Sequence, residues 1–268
     1  MFGLARGVLR SVTSALIEAT WKRHDVRVLY YHRVDKSAHR SNVHPDAFGA
    51  QMQYLADMHY QVIHLAKLYQ YLEDRSTIPN RTIVLTFDDG FEDNYTTAFP
   101  VLRSFGFPAI IFLTAGFIGR DILPVQSDAP MAGRPLSWKQ ILEMSQKGID
   151  FGAHTLTHPR LSTLSPGDLE EEVIRSKLLI EDKLNRAIEF FCYPKGDLNL
   201  RVKAVVKDAG FRGACGVHPG YVSLRSDHFD LPRTYIGCDD SLSDFRKKLH
   251  GAYDMMHAGS QWWKRKIS

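Results

Sequence analysis

A parallel α/β sheet or barrel is the fold class this sequence predicts, on three observations. Short runs rich in β-formers alternate with helical patterns along most of the chain. The run AIIFL at 109–113 is apolar without alternation, as a strand covered on both faces should be. With 268 residues the chain is long enough for one barrel of about 200–250 residues plus trimmings.

The elements follow in order. VRVLYY at 26–31 reads as a first strand that runs into a loop at His32-Arg33-Val34, followed by a polar stretch from Asp35 to Asn42. Phe48, Met52, Leu55 and Met58 fall at helical spacing after Pro45; Val62-Ile63 is a short strand and 65–72 a second helix. Pro79-Asn80 turns the chain into TIVLTF at 82–87, and a helix through 98–105 is stopped by Gly106-Phe107-Pro108. Residues 116–137, rich in Gly and Pro with few apolar pairs, read as a long loop beside the site. A helix over 138–146, a strand over 149–152 and a long helix over 168–184 come next; Ser165-Pro166 and an acidic first turn suit the start of the last. A strand over 188–193, a helix over 200–209 ended by Gly210, and short strands at 211–215 and 235–236 complete the series. In such folds ligands gather at the carboxyl ends of the strands.

Around this barrel, assigned to 26–245, stand an N-terminal helix over 1–25 and a basic tail over 246–268. Leu4, Val8, Val12, Leu16 and Ala19 share one face of the first, with Arg6, Arg10, Lys22 and Arg23 elsewhere. Packing on its own domain outweighs membrane attachment for this helix, because amphipathic helices are generic. Arg6 and Arg10 interrupt any signal-peptide core, and no stretch reaches the roughly 20 apolar residues of a membrane span. The expected location is cytoplasmic, with peripheral contact at the inner membrane face as an extension of that reading. Trp262-Trp263-Lys264-Arg265-Lys266 would suit such a contact, although a frayed terminus weighs more. Net charge is only +4, with no Lys/Arg stripe interleaved with aromatics, which excludes nucleic acid as a partner. Cys192, Cys215 and Cys238 are odd in number and lack C-x-x-C spacing, which fits a reducing compartment and neither a disulfide framework nor a zinc ribbon. The oligomeric state is not legible.

Two carboxylates, Asp88 and Asp89, end the strand TIVLTF. Adjacent residues of an extended strand point to opposite sides, so the pair can hold two different jobs; alone, Asp-Asp-Gly is more often a solvated turn. His154 and His158, in AHTLTHP after the strand over 149–152, can face one metal if the segment turns helically. With Asp89 they make three ligands of imidazole and carboxylate, the composition of a catalytic site with an open position. Tyr193-Pro194-Lys195-Gly196 forms a turn at another strand end, where a backbone N–H could face the site.

Thr86-Phe87-Asp88-Asp89-Gly90 together with His154-Thr155-Leu156-Thr157-His158 resembles the first two motifs of the polysaccharide deacetylases, carbohydrate esterase family 4. The resemblance implies a distorted (β/α) barrel of seven or so strands and metal-dependent removal of N-acetyl groups from amino sugars. It makes Asp88 the general base and Asp89, His154 and His158 the ligands of a divalent ion, Zn²⁺ first, with Co²⁺, Mn²⁺ or Ni²⁺ as substitutes. The oxyanion would be held by the ion and the Lys195 N–H, in a turn shaped by Tyr193 and Pro194. Where most relatives supply the acid from a Leu-x-His motif, this chain reads Leu231-Pro232-Arg233. Leu29-Tyr30-Tyr31-His32 instead matches the Leu-x-Tyr-His form of a subgroup resembling exopolysaccharide (poly-N-acetylglucosamine) deacetylases, which assigns the acid to His32. Many relatives orient the base with an Arg in the third motif; Phe191 and Cys192 stand there, so Arg233 is the candidate replacement. The expected partner is an N-acetylated glycan. A phosphotransferase of the haloacid dehalogenase type is excluded because its carboxylates stand two apart. A silent carbohydrate-binding member, and a deacetylase of a small lipid- or nucleotide-linked sugar, are the alternatives.

Overall fold

The computed structural model describes residues 26–37, 39–120, 133–251 and Asp254. The expected helix over 1–25, residues 121–132 of the expected loop and the Trp262–Lys266 tail lie outside them. In chain order come β1 (Arg27–Tyr31), β2 (Arg33–Val34), β3 (Asn42–Val43), α1 (Pro45–Asp57), β4 (Gln61–Val62), α2 (Leu65–Glu73) and β5 (Thr82–Phe87). A π-helical turn at Asn94–Ala98 leads into α3 (Phe99–Phe105), then β6 (Ala109–Leu113), α4 (Trp138–Ser145), β7 (Ile149–Ala153) and α5 (Pro166–Leu184). The chain continues through β8 (Phe190–Cys192), α6 (Leu200–Asp208), β9 (Gly213–Cys215), β10 (Thr234–Tyr235) and α7 (Leu242–Leu249).

The main sheet is parallel and runs β10-β1-β5-β6-β7-β8-β9, a seven-strand path, with β4 added beside β5. Both β1 and β5 run in register from Arg27–Ile83 to Tyr31–Phe87. On its other side β5 changes partner along its length: β4 pairs Thr82 and Ile83, and β6 pairs Thr86 and Phe87. Strands β9 and β10 end the path, and an isolated bridge from Cys215 to Leu231 spans part of the gap, so the expected barrel is open. The segment read as a polar stretch after His32 folds back as a two-stranded ribbon, β2 with β3.

Every residue of β5 and β6 is buried, as two-sided cover requires. Alternation sorts them into two clusters. Ile83, Leu85, Phe87, Ile111 and Leu113 pack with the surrounding helices, whereas Val84, Ile110, Phe112, Phe190 and Cys192 form the inner cluster, which α2 enters with Leu65, Leu68, Tyr69 and Leu72. Helix starts follow the local chemistry. The Ser165 side chain accepts from the Asp168 N–H ahead of Pro166, and Ser137 with Gln140 completes a capping box. Helix α7 runs past the expected boundary at 245, burying Phe245 and Leu249 in the main core. Beyond it Arg27 Nη1 donates to Asp254 Oδ2 at 2.9 Å.

Candidate active site

The Asp88 N–H donates to the Tyr31 carbonyl at 2.9 Å, which prolongs the β1–β5 ladder by one residue. Asp88 therefore keeps the parity of Val84 and Thr86 and points to the inner face. Arg233 meets it there: Nη1 donates to Asp88 Oδ1 at 2.7 Å and to Thr86 Oγ1 at 3.0 Å, and Nη2 to Asp88 Oδ2 at 2.8 Å. Its Nε donates to the Gly216 carbonyl at 2.8 Å, and the guanidinium lies 4.5 Å over the Tyr30 ring. Neither partner is more than 4% exposed. Burial alone would raise the Asp88 carboxyl, but the charge and hydrogen bonds of Arg233, helped by His154 and His32, hold it well below the usual range.

Asp89 leaves the strand path at φ 73°. Its Oδ1 lies 3.5 Å from His154 Nε2 and 3.4 Å from His158 Nε2, and one ligand atom from each residue falls within 4.8 Å of the others. His154 prolongs β7 by donating its N–H to the Leu113 carbonyl, and its Nδ1 donates to the Cys192 carbonyl at 2.7 Å. That bond turns Nε2 toward Asp89. His158 arrives differently from the expected helical turn. Thr155 and His158 both have positive φ, 66° and 64°, and the His158 N–H donates to Thr155 Oγ1, so a tight loop brings the two imidazoles together. Glu172 on α5 fastens this loop, accepting from the Leu156 N–H at 2.9 Å, the Thr157 N–H at 2.8 Å and Thr157 Oγ1 at 2.5 Å. Sequence reasoning missed Glu172, because its partners are backbone groups and its spacing marks no motif.

Glu172→Ala is expected to weaken divalent metal binding about 10–100-fold, as loss of an outer support does. Competition for Zn²⁺ with a chelator measures it. A Kd within twofold of the parent would assign the loop's order to Thr155 alone.

The turn at Pro194–Gly196 stands beside the pair, close enough for the Lys195 charge to act on His158. Lys195 adopts φ 58°, so four strand-end residues of the site, with Asp89, Thr155 and His158, share the left-handed region. Tyr193 and Pro194 are buried, and the Tyr193 hydroxyl donates to the Phe229 carbonyl at 2.9 Å. Both support the turn, and Lys195 is its exposed member. His32 follows β1 next to Asp88, near enough for a charge on its ring to lower the pKa of both carboxylates. Cys192, not foreseen as a site residue, takes a hydrogen bond from Arg233 Nη2 at 3.0 Å and faces Asp88 Oδ1 at 3.7 Å. Burial pushes its thiol far up, so it stays protonated.

The donor set fits a divalent cation. Burial pushes His154 down to about 3, with His158 adding to the effect, and pushes His158 down to about 4, with Lys195 adding, so both present neutral lone pairs. Burial pushes Asp89 up to about 6, with Asp88 adding, so this carboxylate is the member that gains most from a cation beside it.

The sequence matches the model of the polysaccharide deacetylase family over residues 75–214. That span holds Asp88, Asp89, His154, His158 and Cys192 and leaves His32 and Arg233 outside. YxkH of Bacillus subtilis (strain 168), provisionally named a polysaccharide deacetylase, is 29% identical over 241 residues, covering 90% of this chain and 80% of that protein. The poly-β-1,6-N-acetyl-D-glucosamine N-deacetylase of Staphylococcus aureus (strain MSSA476) is 23% identical over 258 residues, covering 87% and 86%. In fold, the chain is similar to the Streptococcus pyogenes deacetylase PplD in complex with acetate, with a TM-score of 0.75 at 24% identity over 85% of this chain and 99% of that one. With the family model matching more than half of its length, the chain belongs to the polysaccharide deacetylase family.

Proposed function

We propose that the chain is a metal-dependent hydrolase removing N-acetyl groups from an amino sugar, N-acetylglucosamine first, in a polysaccharide or glycan precursor. The observation that carries this reading is the Asp88 carboxylate, clamped by Arg233 at 2.7 and 2.8 Å, next to the Asp89–His154–His158 donor set. A divalent ion held by those three residues, Zn²⁺ or a substitute, would supply Lewis acidity toward the amide carbonyl and the attacking water.

The chain's own groups do the rest. Asp88 accepts the proton the water loses as its oxygen bonds the carbonyl carbon. The Lys195 N–H, in its left-handed turn, is the backbone donor for the oxyanion. His32 gives its proton to the amide nitrogen as the C–N bond breaks, so the electron pair leaves on a neutral amine and acetate remains. The S. aureus relative, named for poly-β-1,6-N-acetyl-D-glucosamine, supports a glucosamine polymer as substrate class.

Chelator-stripped protein should release no acetate from N-acetylglucosamine oligomers, and Zn²⁺, Co²⁺ or Mn²⁺ should restore release. Release that persists without metal would sink the mechanism. Oligomer binding without release in the reloaded protein would establish the silent carbohydrate-binding reading instead, and release only from nucleotide- or lipid-linked N-acetyl sugars would move the substrate to a precursor.

A further inference from the structure

Three consecutive residues after β1 are fastened to one dipeptide. Asn94 Nδ2 donates to the His32 carbonyl at 2.9 Å, Asp93 Oδ2 accepts from Arg33 Nε at 2.7 Å, and Asp93 Oδ1 accepts from the Val34 N–H at 2.9 Å. Asn94 is 1% exposed, and the Arg33 and Asp93 side chains are 10% and 11% exposed. Asp93 sits at the start of the Asn94–Ala98 turn, where an aspartate normally caps the helix, yet it makes no side-chain cap bond. Its two oxygens serve the strand end instead. The turn itself is of the π type, a local widening that recurs at functional sites.

The His32 ring shows why such a clamp matters. A histidine that moves a proton is ordinarily aligned by a hydrogen bond to its second nitrogen. Here Nδ1 is shut off from solvent and finds no hydrogen-bond partner among the described residues. Among the described residues the ring's aromatic neighbours are Tyr30, centroids 5.8 Å apart, and Tyr235, 6.0 Å apart. Its alignment therefore comes through the backbone, which the Asp88 N–H holds on one side at the Tyr31 carbonyl and the β2–β3 pairing on the other, and the side chains that fasten it belong to Asp93 and Asn94.

We propose that Asp93 and Asn94 are positioning residues for the deacetylation reaction, clamping the His32 backbone so that its ring meets the departing amine. The inference rests on His32 being the acid. Misplacing a reacting group by about 1 Å costs up to 10²-fold in rate, so a clamp acting on the acid alone should be visible in kcat.

The test is kinetic. Asn94→Ala is compared with the parent on N-acetylglucosamine oligomers and on an aryl acetate, whose phenolate departs without an acid. Expected are a loss of about 10-fold or more in kcat on the oligomer, a change within twofold on the aryl acetate, and no further loss when Asn94→Ala is added to His32→Ala. Asn94→Asp, equal in size but with no N–H for the carbonyl, should behave alike and carries the test if the alanine variant does not fold. Equal losses on both substrates, an undiminished loss in the His32→Ala background, or full oligomer activity in a folded variant would each overturn the clamp. A parent protein inert on the oligomers would overturn the proposed function and the clamp with it; an active parent isolates the clamp.

Discussion

Arg233→Ala is expected to destabilise the protein by about 3–5 kcal/mol at pH 7, the range for leaving one member of a buried ion pair alone. Arg233 is 0% exposed and Asp88 is 3% exposed, so no solvent reaches in to replace the lost partner. The pH dependence identifies the cause. In the parent, the folded Asp88 carboxyl lies below its unfolded value, so the pair's stabilisation is present above about pH 4 and is lost as pH falls through the lower folded value. Without Arg233 the burial effect, the largest acting on Asp88, is opposed only by the smaller influences of His154 and His32, and the sign reverses. The folded carboxyl then titrates above its unfolded value, and the penalty grows as pH rises from about 4. Urea unfolding of both proteins at pH 4 and pH 7 should show the smaller difference at pH 4. A difference equal at both values would place the loss in packing against Tyr30 and Phe112, which the guanidinium also covers. The same shift should move the acid limb of kcat/KM to higher pH in the variant, because its base takes up a proton where the parent's does not.

Much of this architecture is legible in the sequence because its signals are local. AIIFL and TIVLTF read as buried strands, and Ser165-Pro166 marks the start of α5 within a residue or two. What escaped is built by distant pairing or by unusual backbone. The β2–β3 ribbon joins two-residue strands too short to show any period. The π turn at Asn94–Ala98 has no signature distinct from that of the helix it precedes. The loop at 154–158 depends on positive φ at Thr155 and His158, where no glycine or asparagine announces it.

The site divides the same way. Asp88, Asp89, His154 and His158 stand in two contiguous strings at strand ends, where their residue types already suggest metal and base chemistry. Arg233 is separated from Asp88 by 145 positions, and no spacing rule connects them. It became a candidate only because the resemblance implied a charge that Phe191 and Cys192 do not supply. The small Cys192 side chain lies against both Asp88 and Arg233, so the cation enters from the far end of the chain. Glu172, Asp93 and Asn94 act through backbone groups, which every residue possesses, so nothing in their partners' identities points to them.

Asp88→Asn should lower kcat for acetate release by about 10²–10⁴-fold, the contribution of a positioned base. The amide preserves size but not the clamp: one Arg233 N–H still finds an oxygen, while the other faces an NH₂ donor. Metal content separates loss of the base from damage to the site, because Asp89, His154 and His158 keep their own supports through the Cys192 carbonyl and Glu172. The variant should therefore still bind one equivalent of Zn²⁺. A carboxylate held as low as Asp88 is a weak base toward bulk water, and the clamp keeps it ionised at every working pH at the expense of basicity. It is useful only toward a water that has already been acidified. Without it the reaction should draw on hydroxide, so kcat/KM of Asp88→Asn should climb about tenfold per pH unit where the parent is level. The leaving group then distinguishes base from acid. Asp88→Asn should impair oligomer and aryl acetate alike, since both require a deprotonated water, whereas His32→Ala should impair the oligomer alone. If Asp88→Asn spared the aryl acetate, Asp88 would be acting on the departing amine, and the assignment of base and acid to Asp88 and His32 would have to be exchanged.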